Sequence, residues 1–251
     1  MDFTGRRILV TGGSRGIGRA AVEAFKAGGA RVAVNGRTAE STAAGIAAMG
    51  LDGLLAAPGD VGTVTGCDAA VKAAVDAFGG LDVLVNSAGV GYGEPVEDID
   101  EAKWDESLDV NLKGTFFCIK AALPALRQSG GNIVNVASDA GLMGDPSLIV
   151  YCASKGGVVN MTKAMALAFA PKVRVNCVCP GYVDTDMVRR DGIEAATDPA
   201  AAEQALLDYT PLGRLAQPVE IGAAIAYLAN AETKFVTGAA LQIDGGTTAG
   251  R

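Results

Sequence analysis

Three side chains in the middle of the chain could together transfer a proton to or from a bound molecule. Tyr151 and Lys155 are four residues apart at the start of a predicted helix, so phenol and ammonium should share one helix face. A neighbouring cation favours the phenolate, which predicts a Tyr151 pKa below its usual value of about 10. Ser138 follows a β-branched segment, and its hydroxyl could polarise a carbonyl oxygen beside that phenol. Each residue alone also fits a structural role, but together they predict general acid/base chemistry.

A glycine-rich segment near the N-terminus has the composition of a phosphate-binding loop. Thr11-Gly12-Gly13-Ser14-Arg15-Gly16-Ile17-Gly18 follows the apolar segment 8–10 and precedes a helical pattern from Arg19. The free N–H groups and positive end of such a helix attract phosphate, and glycine lets the backbone come close. The spacing Gly-x3-Gly-x-Gly differs from the usual Gly-x-Gly-x-x-Gly, and an ordinary glycine-rich turn is the alternative. The order strand, loop, helix favours dinucleotide binding.

The elements that must position these groups alternate regularly along the chain. The predicted strands are Arg7–Val10, Arg31–Asn35, Gly53–Ala56, Val83–Asn86, Asn132–Ala137, Arg174–Val178 and Ala240–Ile243. Helical patterns cover 16–28, 39–49, 64–78, 101–128, 152–170 and 218–229, and Pro124 should bend or end the fourth helix nearby. Apolar strands alternating with helices predict a parallel sheet covered on both faces. The expected fold class is α/β, a doubly wound, Rossmann-type sheet in a single domain spanning residues 1–251.

Residues 184–210 form the one long stretch without clear periodicity. A segment of this length in a compact domain is either disordered or functional, and we expect a lid over the substrate.

The composition excludes several classes of function. The 251 residues include no histidine, which removes Ser-His-Asp and Cys-His catalysis, histidine-ligated zinc and imidazole pH switches. A formal charge of −7 without a basic block argues against nucleic acid or an anionic membrane as partner. No apolar run approaches the ~20 residues of a membrane span, and the N-terminus does not resemble a signal peptide. Five scattered cysteines predict buried thiols in a reducing compartment, so we expect a cytoplasmic protein.

With these motifs in order, the chain resembles the short-chain dehydrogenase/reductase family over nearly its whole length. The motifs that carry the resemblance are Thr11-Gly12-x-x-x-Gly16-x-Gly18, Asp60-Val61, Asn86-Ser87-Ala88-Gly89, Pro180-Gly181 with Thr185, and Asp244-Gly245-Gly246. Ser87 replaces the second Asn of the family's Asn-Asn-Ala-Gly signature, and we assign it no role.

The resemblance implies reversible hydride transfer between a nicotinamide cofactor and a ketone/secondary alcohol pair, without a metal ion. The implied catalytic residues are Asn111, Ser138, Tyr151 and Lys155. Tyr151 would be the general acid/base, Lys155 would also bind the nicotinamide ribose, and Asn111 would position a water in a proton relay. The implied cofactor-binding residues are Gly12, Ser14, Arg15, Gly16, Ile17, Gly18, Asn35, Arg37, Asp60, Val61, Asn86, Ala88, Gly89, Tyr151, Lys155, Pro180, Gly181, Val183 and Thr185.

The end of the second strand predicts that NADPH is preferred, with NAD as the alternative. A site selective for NAD places a carboxylate there to bind the ribose 2′-hydroxyl. Here the strand ends in Asn35-Gly36-Arg37-Thr38, and we expect Gly36 to leave open the space of the missing carboxylate. Arg37 and Arg15 could engage a 2′-phosphate, as basic residues do at these places in NADP-selective members of the family.

The substrate is less defined by the sequence. Segments 91–96, 140–149 and 184–210 should line its pocket and make it partly apolar through Leu142, Met143, Leu148, Met187 and Val188. A small ketone, sugar or steroid-like alcohol and a 3-oxoacyl thioester are equally favoured as substrates. If the thioester were carried by an acidic carrier protein, that protein would need a basic patch to bind to. Epimerase or dehydratase chemistry usually needs an added substrate domain.

A regulatory or scaffold protein that binds the cofactor without turnover is the alternative outside enzymes. Such a protein should lack some of the glycine-loop or catalytic residues, whereas this sequence has both sets. The resemblance also implies a homotetramer. Helical patterns 101–128 and 152–170 carry apolar residues on more than one face, which agrees with a second partner besides the sheet.

Overall fold

Seven parallel strands form one sheet in the order β3-β2-β1-β4-β5-β6-β7 in the computed structural model, which describes residues 1–91 and 93–250. The strands are β1 Arg7–Thr11, β2 Arg31–Val34, β3 Leu55–Ala56, β4 Val83–Asn86, β5 Asn132–Val136, β6 Arg174–Pro180 and β7 Ala240–Ile243. All pairs are parallel. The α/β fold class predicted from the alternating pattern is confirmed.

The strands are shorter or longer than predicted by up to two residues at their ends. β3 has only two residues instead of four, because it lies at the sheet edge and pairs with β2 alone. β6 extends to Pro180, which pairs with Ile243 in register at the last position of β7. This extension brings Pro180-Gly181 to the same edge as the ends of β1, β4 and β5.

Helices cover both faces of the sheet. They are α1 Gly16–Ala27, α2 Ala39–Met49, α3 Val64–Phe78, α4 Glu101–Leu108, α5 Gly114–Ser129, α6 Ile149–Phe169, α7 Asp186–Val188, α8 Pro199–Tyr209 and α9 Pro218–Ala229. Successive strand residues point to opposite faces. Ile8 and Val10 pack in one apolar cluster with Phe25 of α1 and Ile225 of α9, while Leu9 packs in the cluster that includes residues of α3 and α5.

The strand order reverses between β1 and β4, because the chain builds β1 to β3 outward in one direction and β4 to β7 in the other. The crossovers therefore leave opposite faces at this point, and a crevice opens beyond the carboxyl ends of the strands. The glycine-rich segment follows β1 directly, so it lies at this crevice.

The predicted helix 101–128 is interrupted, although not at its proline. A π-helical turn, Asp109–Lys113, separates α4 from α5, and α5 continues past Pro124 to Ser129. The interruption therefore lies at Asn111, and no residue-type signal in the segment indicates it.

The segment 184–210 is largely helical, which periodicity did not predict. It contains α7, a second π-helical turn Arg189–Ile193, and α8. The start of α8 does have a sequence signal, because Asp198 accepts a hydrogen bond from the N–H of Ala201 and Pro199 occupies the first turn. Among the described residues, no helix combines the length and hydropathy needed to cross a bilayer.

Candidate active site

The glycine loop is built by close backbone approach. Gly12 has φ +61°, and a Cβ at this position would lie 2.7 Å from the Cα of Ala88. A Cβ on Gly18 would collide with the carbonyl oxygen of Gly12. Both glycines are therefore required to fold the loop against the segment after β4 and against α1, in addition to any contact with a ligand.

The first turn of α1 presents its backbone donors without a competing side chain. Arg15 is the N-cap residue and makes no side-chain cap, and no acidic residue lies in the first turn. The N–H groups of Gly16, Ile17 and Gly18 thus face the crevice together with the positive end of the helix, which is the arrangement that binds phosphate. The loop and helix fit the pyrophosphate of a dinucleotide.

Asn35 supports this loop rather than leaving its side chain free for a ligand. The residue is buried, and its Oδ1 accepts a hydrogen bond from the N–H of Gly12 at 3.3 Å. Its Nδ2 donates to the carbonyls of Ala57 at 2.9 Å and Gly59 at 3.0 Å. The amide thus holds the ends of β1, β2 and β3 together. Asn35 also lines the cavity, and its predicted contact with the cofactor stays a prediction.

Two arginines lie at this end of the crevice, as predicted. Arg37 is exposed and makes no side-chain hydrogen bond or ion pair with the described residues, while a guanidinium nitrogen of Arg15 lies 3.9 Å from a carboxylate oxygen of Asp186. The expected open space at Gly36 is wrong. A Cβ there would lie 2.7 Å from Oγ1 of Thr42, because α2 packs directly against the residue.

Asp60 and Val61 follow β3 and also line the crevice. Asp60 is exposed and its Oδ1 accepts a hydrogen bond from the N–H of Gly62, whereas Val61 is buried. Ala88 and Gly89 follow β4, the next strand along the chain, and the N–H of Ala88 donates to the buried hydroxyl of Thr11 at 3.3 Å. The N–H of Ser87 donates to the same hydroxyl, so the variant signature keeps this backbone contact.

Asn86 lies behind the crevice rather than in its wall. Its Nδ2 donates to Oδ1 of Asn135 at 2.9 Å, and Nδ2 of Asn135 donates to Oγ1 of Thr162 in α6 at 2.9 Å. All three residues are buried. The Asn86 side chain therefore links β4, β5 and α6, and the predicted contact of Asn86 with the cofactor stays a prediction.

Ser138 lies two residues beyond β5, at the carboxyl edge of the sheet. Its hydroxyl donates to Oδ1 of Asp139 at 3.0 Å and accepts from the N–H of Ala140 at 3.2 Å. Tyr151 lies in the first turn of α6, and the Ser138 hydroxyl beside its phenol favours the phenolate. Both hydroxyls can therefore form a hydrogen bond with the same oxygen atom of a bound molecule.

The predicted lowering of the Tyr151 pKa is wrong. Burial raises the pKa of Tyr151 to about 12, and the charge of Asp139 adds to this rise. The Lys155 ammonium lies 5.5 Å from the centre of the phenol ring, and burial lowers its own pKa to about 8. Tyr151 therefore holds its proton at neutral pH in this arrangement, because the cost of a buried phenolate outweighs the attraction of the cation.

Lys155 is 4% exposed, and its Nζ donates to the carbonyl oxygen of Val136 at 2.9 Å. An ammonium has three donors, so two are left to point away from β5. A Cβ on Gly89 would lie 3.4 Å from this Nζ, which places Lys155 opposite the segment after β4. Ribose hydroxyl groups in the crevice would fit these donors.

Asn111 is the member of the predicted catalytic set that does not line the crevice. Its Oδ1 accepts from the N–H of Val90 at 2.8 Å, and its Nδ2 donates to the carbonyl of Val90 at 2.9 Å and to Oγ of Ser154 at 3.0 Å. The residue is fully buried in the π-helical turn. It joins the loop after β4 to α6, and a Cβ on Gly89 would lie 3.2 Å from its Oδ1 and 3.4 Å from Nζ of Lys155.

Pro180, Gly181, Val183 and Thr185 form the wall that comes from β6. Val183 is buried and bridges to Ala216, which anchors the start of the segment 184–210. A Cβ on Gly16 would lie 3.4 Å from Cγ2 of Thr185, so this wall reaches the glycine loop.

One continuous cavity of about 1410 Å³ joins these groups. All the predicted site residues line it except Asn86 and Asn111. The cavity has room for a dinucleotide along the carboxyl ends of the strands and a substrate beside Ser138 and Tyr151. The predicted pocket residues Met143, Leu148, Met187 and Val188 line it, whereas Leu142 faces solvent. The predicted segment 91–96 includes Tyr92, which lies outside the described residues.

Polar residues that the sequence analysis did not name individually also line the cavity, among them Asp139, Asp145, Tyr182 and Tyr209. Asp139 directly follows Ser138, and Tyr182 directly follows Pro180-Gly181, so adjacency to a motif could have indicated both. Asp145 and Tyr209 belong to the segments 140–149 and 184–210, which were predicted to line the pocket, but which side chains of these segments reach it depends on the folding of the loop before α6 and of α8.

Comparisons with known proteins agree with this geometry. A family model described as enoyl-(acyl carrier protein) reductase matches residues 12–248. The chain is 41% identical over 248 residues to 2-(S)-hydroxypropyl-CoM dehydrogenase 3 of Xanthobacter autotrophicus, covering 96% of each chain. It is 37% identical over 244 residues to the 3-oxoacyl-[acyl-carrier-protein] reductase FabG of Staphylococcus aureus, covering 95% of this chain and 96% of that one. A solved chain from Sinorhizobium meliloti, described as a short-chain alcohol dehydrogenase, is 38% identical with a TM-score of 0.89, covering 99% and 98%.

The buried ammonium of Lys155 should cost stability, because its folded-state pKa of about 8 lies below the unfolded value of about 10.4. We expect Lys155→Met to raise the free energy of unfolding at pH 7 by about 1–3 kcal/mol. The gain is complete below pH 8 and shrinks between pH 8 and about 10.4, since the folded wild-type protein then holds a neutral lysine and buries no ammonium.

Urea denaturation from pH 6.5 to 9.5 measures this difference. Lys172→Met, at an exposed lysine, should show no such gain. A Lys155→Met variant that is less stable at pH 7, or a gain independent of pH, would contradict the burial argument.

Proposed function

This chain belongs to the short-chain dehydrogenase/reductase family of oxidoreductases, and we propose that it transfers hydride between NADP(H) and a ketone/secondary alcohol pair with Tyr151 as general acid/base. The observation that carries the proposal is that Ser138, Tyr151 and Lys155 line the same cavity as the first turn of α1. A phosphate-binding helix end and a proton-transfer pair in one crevice suit a reaction that couples a dinucleotide to an oxygen-bound proton.

Each residue of the site has a separate role in the proposed reaction. The amides of α1 would hold the pyrophosphate, the two free donors of Lys155 would hold the nicotinamide ribose, and the bound nicotinamide would supply or accept the hydride. The Ser138 hydroxyl has one proton, which it donates to Oδ1 of Asp139 here. With substrate bound it would donate this proton to the substrate oxygen instead, which polarises that oxygen. Tyr151 would exchange the proton at its phenolic oxygen. Asn111 would position the proton relay by fixing the segment of Val90 against α6.

The high pKa of Tyr151 favours the reductive direction at neutral pH. A phenol that retains its proton is ready to donate it to a developing alkoxide. Oxidation of an alcohol would require the phenolate. Lys155 would stabilise the phenolate most when its own ammonium is charged, so its lowered pKa limits this support at alkaline pH.

The preference for NADPH rests on the exposed guanidinium of Arg37 beside the glycine loop. No carboxylate follows β2 before Glu40, which lies inside α2. A 2′-phosphate would therefore meet a cation and no repelling charge. Arg15 lies near enough to Asp186 to share its charge with that carboxylate, so we assign Arg37 the larger part.

The substrate is proposed to be a small molecule held under the segment 184–210, which we treat as a lid within a single domain. A Cβ on Gly91 would lie 3.4 Å from both Sδ of Met187 and Cε2 of Tyr151, so the lid reaches the catalytic phenol. A 3-oxoacyl-thioester reductase is the second candidate, favoured by the 37% identity to a 3-oxoacyl-[acyl-carrier-protein] reductase. Against it, Lys120 and Arg127 lie over the rings of Phe117 and Phe169 on α5 and α6 rather than at the cavity.

A regulatory or scaffold role without turnover is the alternative from another class. It would leave no reason for a buried lysine and tyrosine to face the cavity, since both are costly to bury. The five cysteines are free thiols, and four of them are buried, which supports a reducing cytoplasmic location.

Removal of the Tyr151 hydroxyl tests the proposed mechanism. We expect Tyr151→Phe to lower kcat by ~10²–10⁴-fold in an assay of NADPH oxidation with small ketones, because the proton donor is lost. Binding of NADPH, measured by fluorescence titration, should change little. Tyr227→Phe, on the exposed side of α9, is the matched control and should keep full activity. A Tyr151→Phe variant that keeps most of the wild-type kcat would contradict the proposed mechanism.

Truncation of Arg37 tests the cofactor preference. We expect Arg37→Ala to raise the KM for NADPH by roughly tenfold or more and to leave the KM for NADH almost unchanged, as loss of one charged hydrogen bond implies. Arg127→Ala removes the same charge from the surface of α5 and should change neither value. A wild-type protein with higher kcat/KM for NADH overturns the assignment to NADP.

A homotetramer is the proposed assembly. Phe116 on α5 and Leu167 on α6 are 40% and 84% exposed, and both lie on the helices expected to carry a second apolar face. We expect sedimentation equilibrium to give a mass close to four times the 25.3 kDa of one chain and Leu167→Glu to lower it. A wild-type mass of one chain would refute the proposal.

A further inference from the structure

The substrate end of the cavity carries acidic side chains and no basic one besides Lys155. Among the described residues that line the cavity, the other cations are Arg15 and Arg37, and both lie at the glycine-loop end. Asp139 and Asp145 line the opposite end, next to Ser138. An anionic substrate group would therefore meet carboxylates and no counter-ion.

Asp139 is the carboxylate nearest the proposed chemistry. Its Oδ1 accepts hydrogen bonds from Oγ of Ser138 at 3.0 Å and from the N–H of Ala140 at 2.8 Å. Its Oδ2 accepts none from residues 1–91 and 93–250, and a Cβ on Gly181 would lie 3.3 Å from it. Oδ1 is thus fixed against Ser138, while Oδ2 can still accept a hydrogen bond.

The surroundings of Asp139 carry further negative charge. Burial raises the pKa of this carboxyl, and the charges of Asp244 and Asp145 raise it further. Burial and the charges of Asp145 and Asp139 raise the pKa of Tyr182 in the same part of the cavity. No cation relieves this crowding, so a neutral hydrogen-bond donor is the group that would satisfy Oδ2.

Apart from the Tyr182 and Tyr209 side chains, the remaining wall at this end is apolar. Met143, Leu148, Met187, Val188 and Leu206 supply no side-chain donor that could solvate a carboxylate, sulfonate or phosphate group. Like charges held a few ångströms apart in a partly buried site repel strongly, and this repulsion acts against anionic substrates specifically.

We propose that Asp139 is a specificity-determining residue, which selects an uncharged carbonyl compound with a hydroxyl group beside the reacting carbon and rejects carboxylates. The hydroxyl donates to Oδ2 of Asp139 while the carbonyl oxygen faces Ser138 and Tyr151. This inference rests on the proposed function, because those two residues place the reacting oxygen.

Three four-carbon ketones that differ in one group test the selection. They are butan-2-one, 3-hydroxybutan-2-one and 3-oxobutanoate, and each turnover consumes one ketone, one NADPH and one proton to give one alcohol and one NADP⁺. We expect wild-type kcat/KM to be about tenfold higher for the hydroxyketone than for butan-2-one, the scale of one hydrogen bond to a charged acceptor. We expect 3-oxobutanoate to be the poorest substrate.

Two variants separate charge from hydrogen bonding. Asp139→Asn removes the charge and keeps an acceptor, so it should raise the ratio of kcat/KM for 3-oxobutanoate to that for butan-2-one by about tenfold. Asp139→Leu removes both and should also abolish the preference for the hydroxyketone. Ratios within one variant cancel any general change in kcat caused by loss of the Ser138 partner. Asp52→Asn, an exposed turn residue, changes the net charge equally and should change neither ratio.

Binding of the product alcohols gives a readout that does not require turnover. With NADP⁺ present, butane-2,3-diol should raise the melting temperature of the wild type more than 3-hydroxybutanoate does, and Asp139→Asn should remove this difference. Equal or better use of 3-oxobutanoate by the wild type, or ratios unaltered by Asp139→Asn, would overturn the inference. If no ketone oxidises NADPH, the proposed function fails, and the binding arm still decides the inference.

Discussion

A buried row of polar side chains across the centre of the sheet is the interaction on which the site depends. Parallel register places Thr11, Asn86 and Asn135 side by side at the carboxyl ends of β1, β4 and β5. Asn86 donates to Asn135, and Asn135 donates to Thr162 of α6. Because a buried amide left without partners costs free energy, this row fixes the helix that carries Tyr151 relative to the strand that precedes the glycine loop.

A second polar link closes the same structure from the other side. Asn111 binds both backbone polar groups of Val90 and the hydroxyl of Ser154, so the loop after β4 is fixed to α6. The π-helical turn makes this possible, because the extra residue in the turn shifts Asn111 out of regular helical phase. The glycine-loop end of the cavity and the end with Ser138 and Tyr151 are therefore joined in one framework, and residues of the segment 184–210 form part of the cavity wall.

Burial sets the protonation states of Tyr151 and Lys155. The same apolar environment raises the pKa of Tyr151 and lowers that of Lys155, so each is driven toward its neutral form. A neutral phenol beside a serine hydroxyl is able to donate a proton, and the charge of Asp139 strengthens that state. The proposed general acid and the proposed selection against anions therefore rest on one property of the cavity, the excess of carboxylates over cations beside Ser138 and Tyr151.

The sequence by itself determined the fold class, the position of the glycine loop and the residues that meet in the cavity. The positions of the strands and of most helices follow from local hydrophobic periodicity, and parallel strands must bring their carboxyl ends to one edge. Tertiary structure alone decided the order of the strands and which polar atoms are engaged. The amide of Asn35 and Nδ2 of Asn86 bond to neighbouring segments, Gly36 is covered by Thr42, and burial reverses the expected pKa shift of Tyr151. Hydrogen-bond partners, close packing and desolvation depend on residues distant in the chain, which local patterns do not encode.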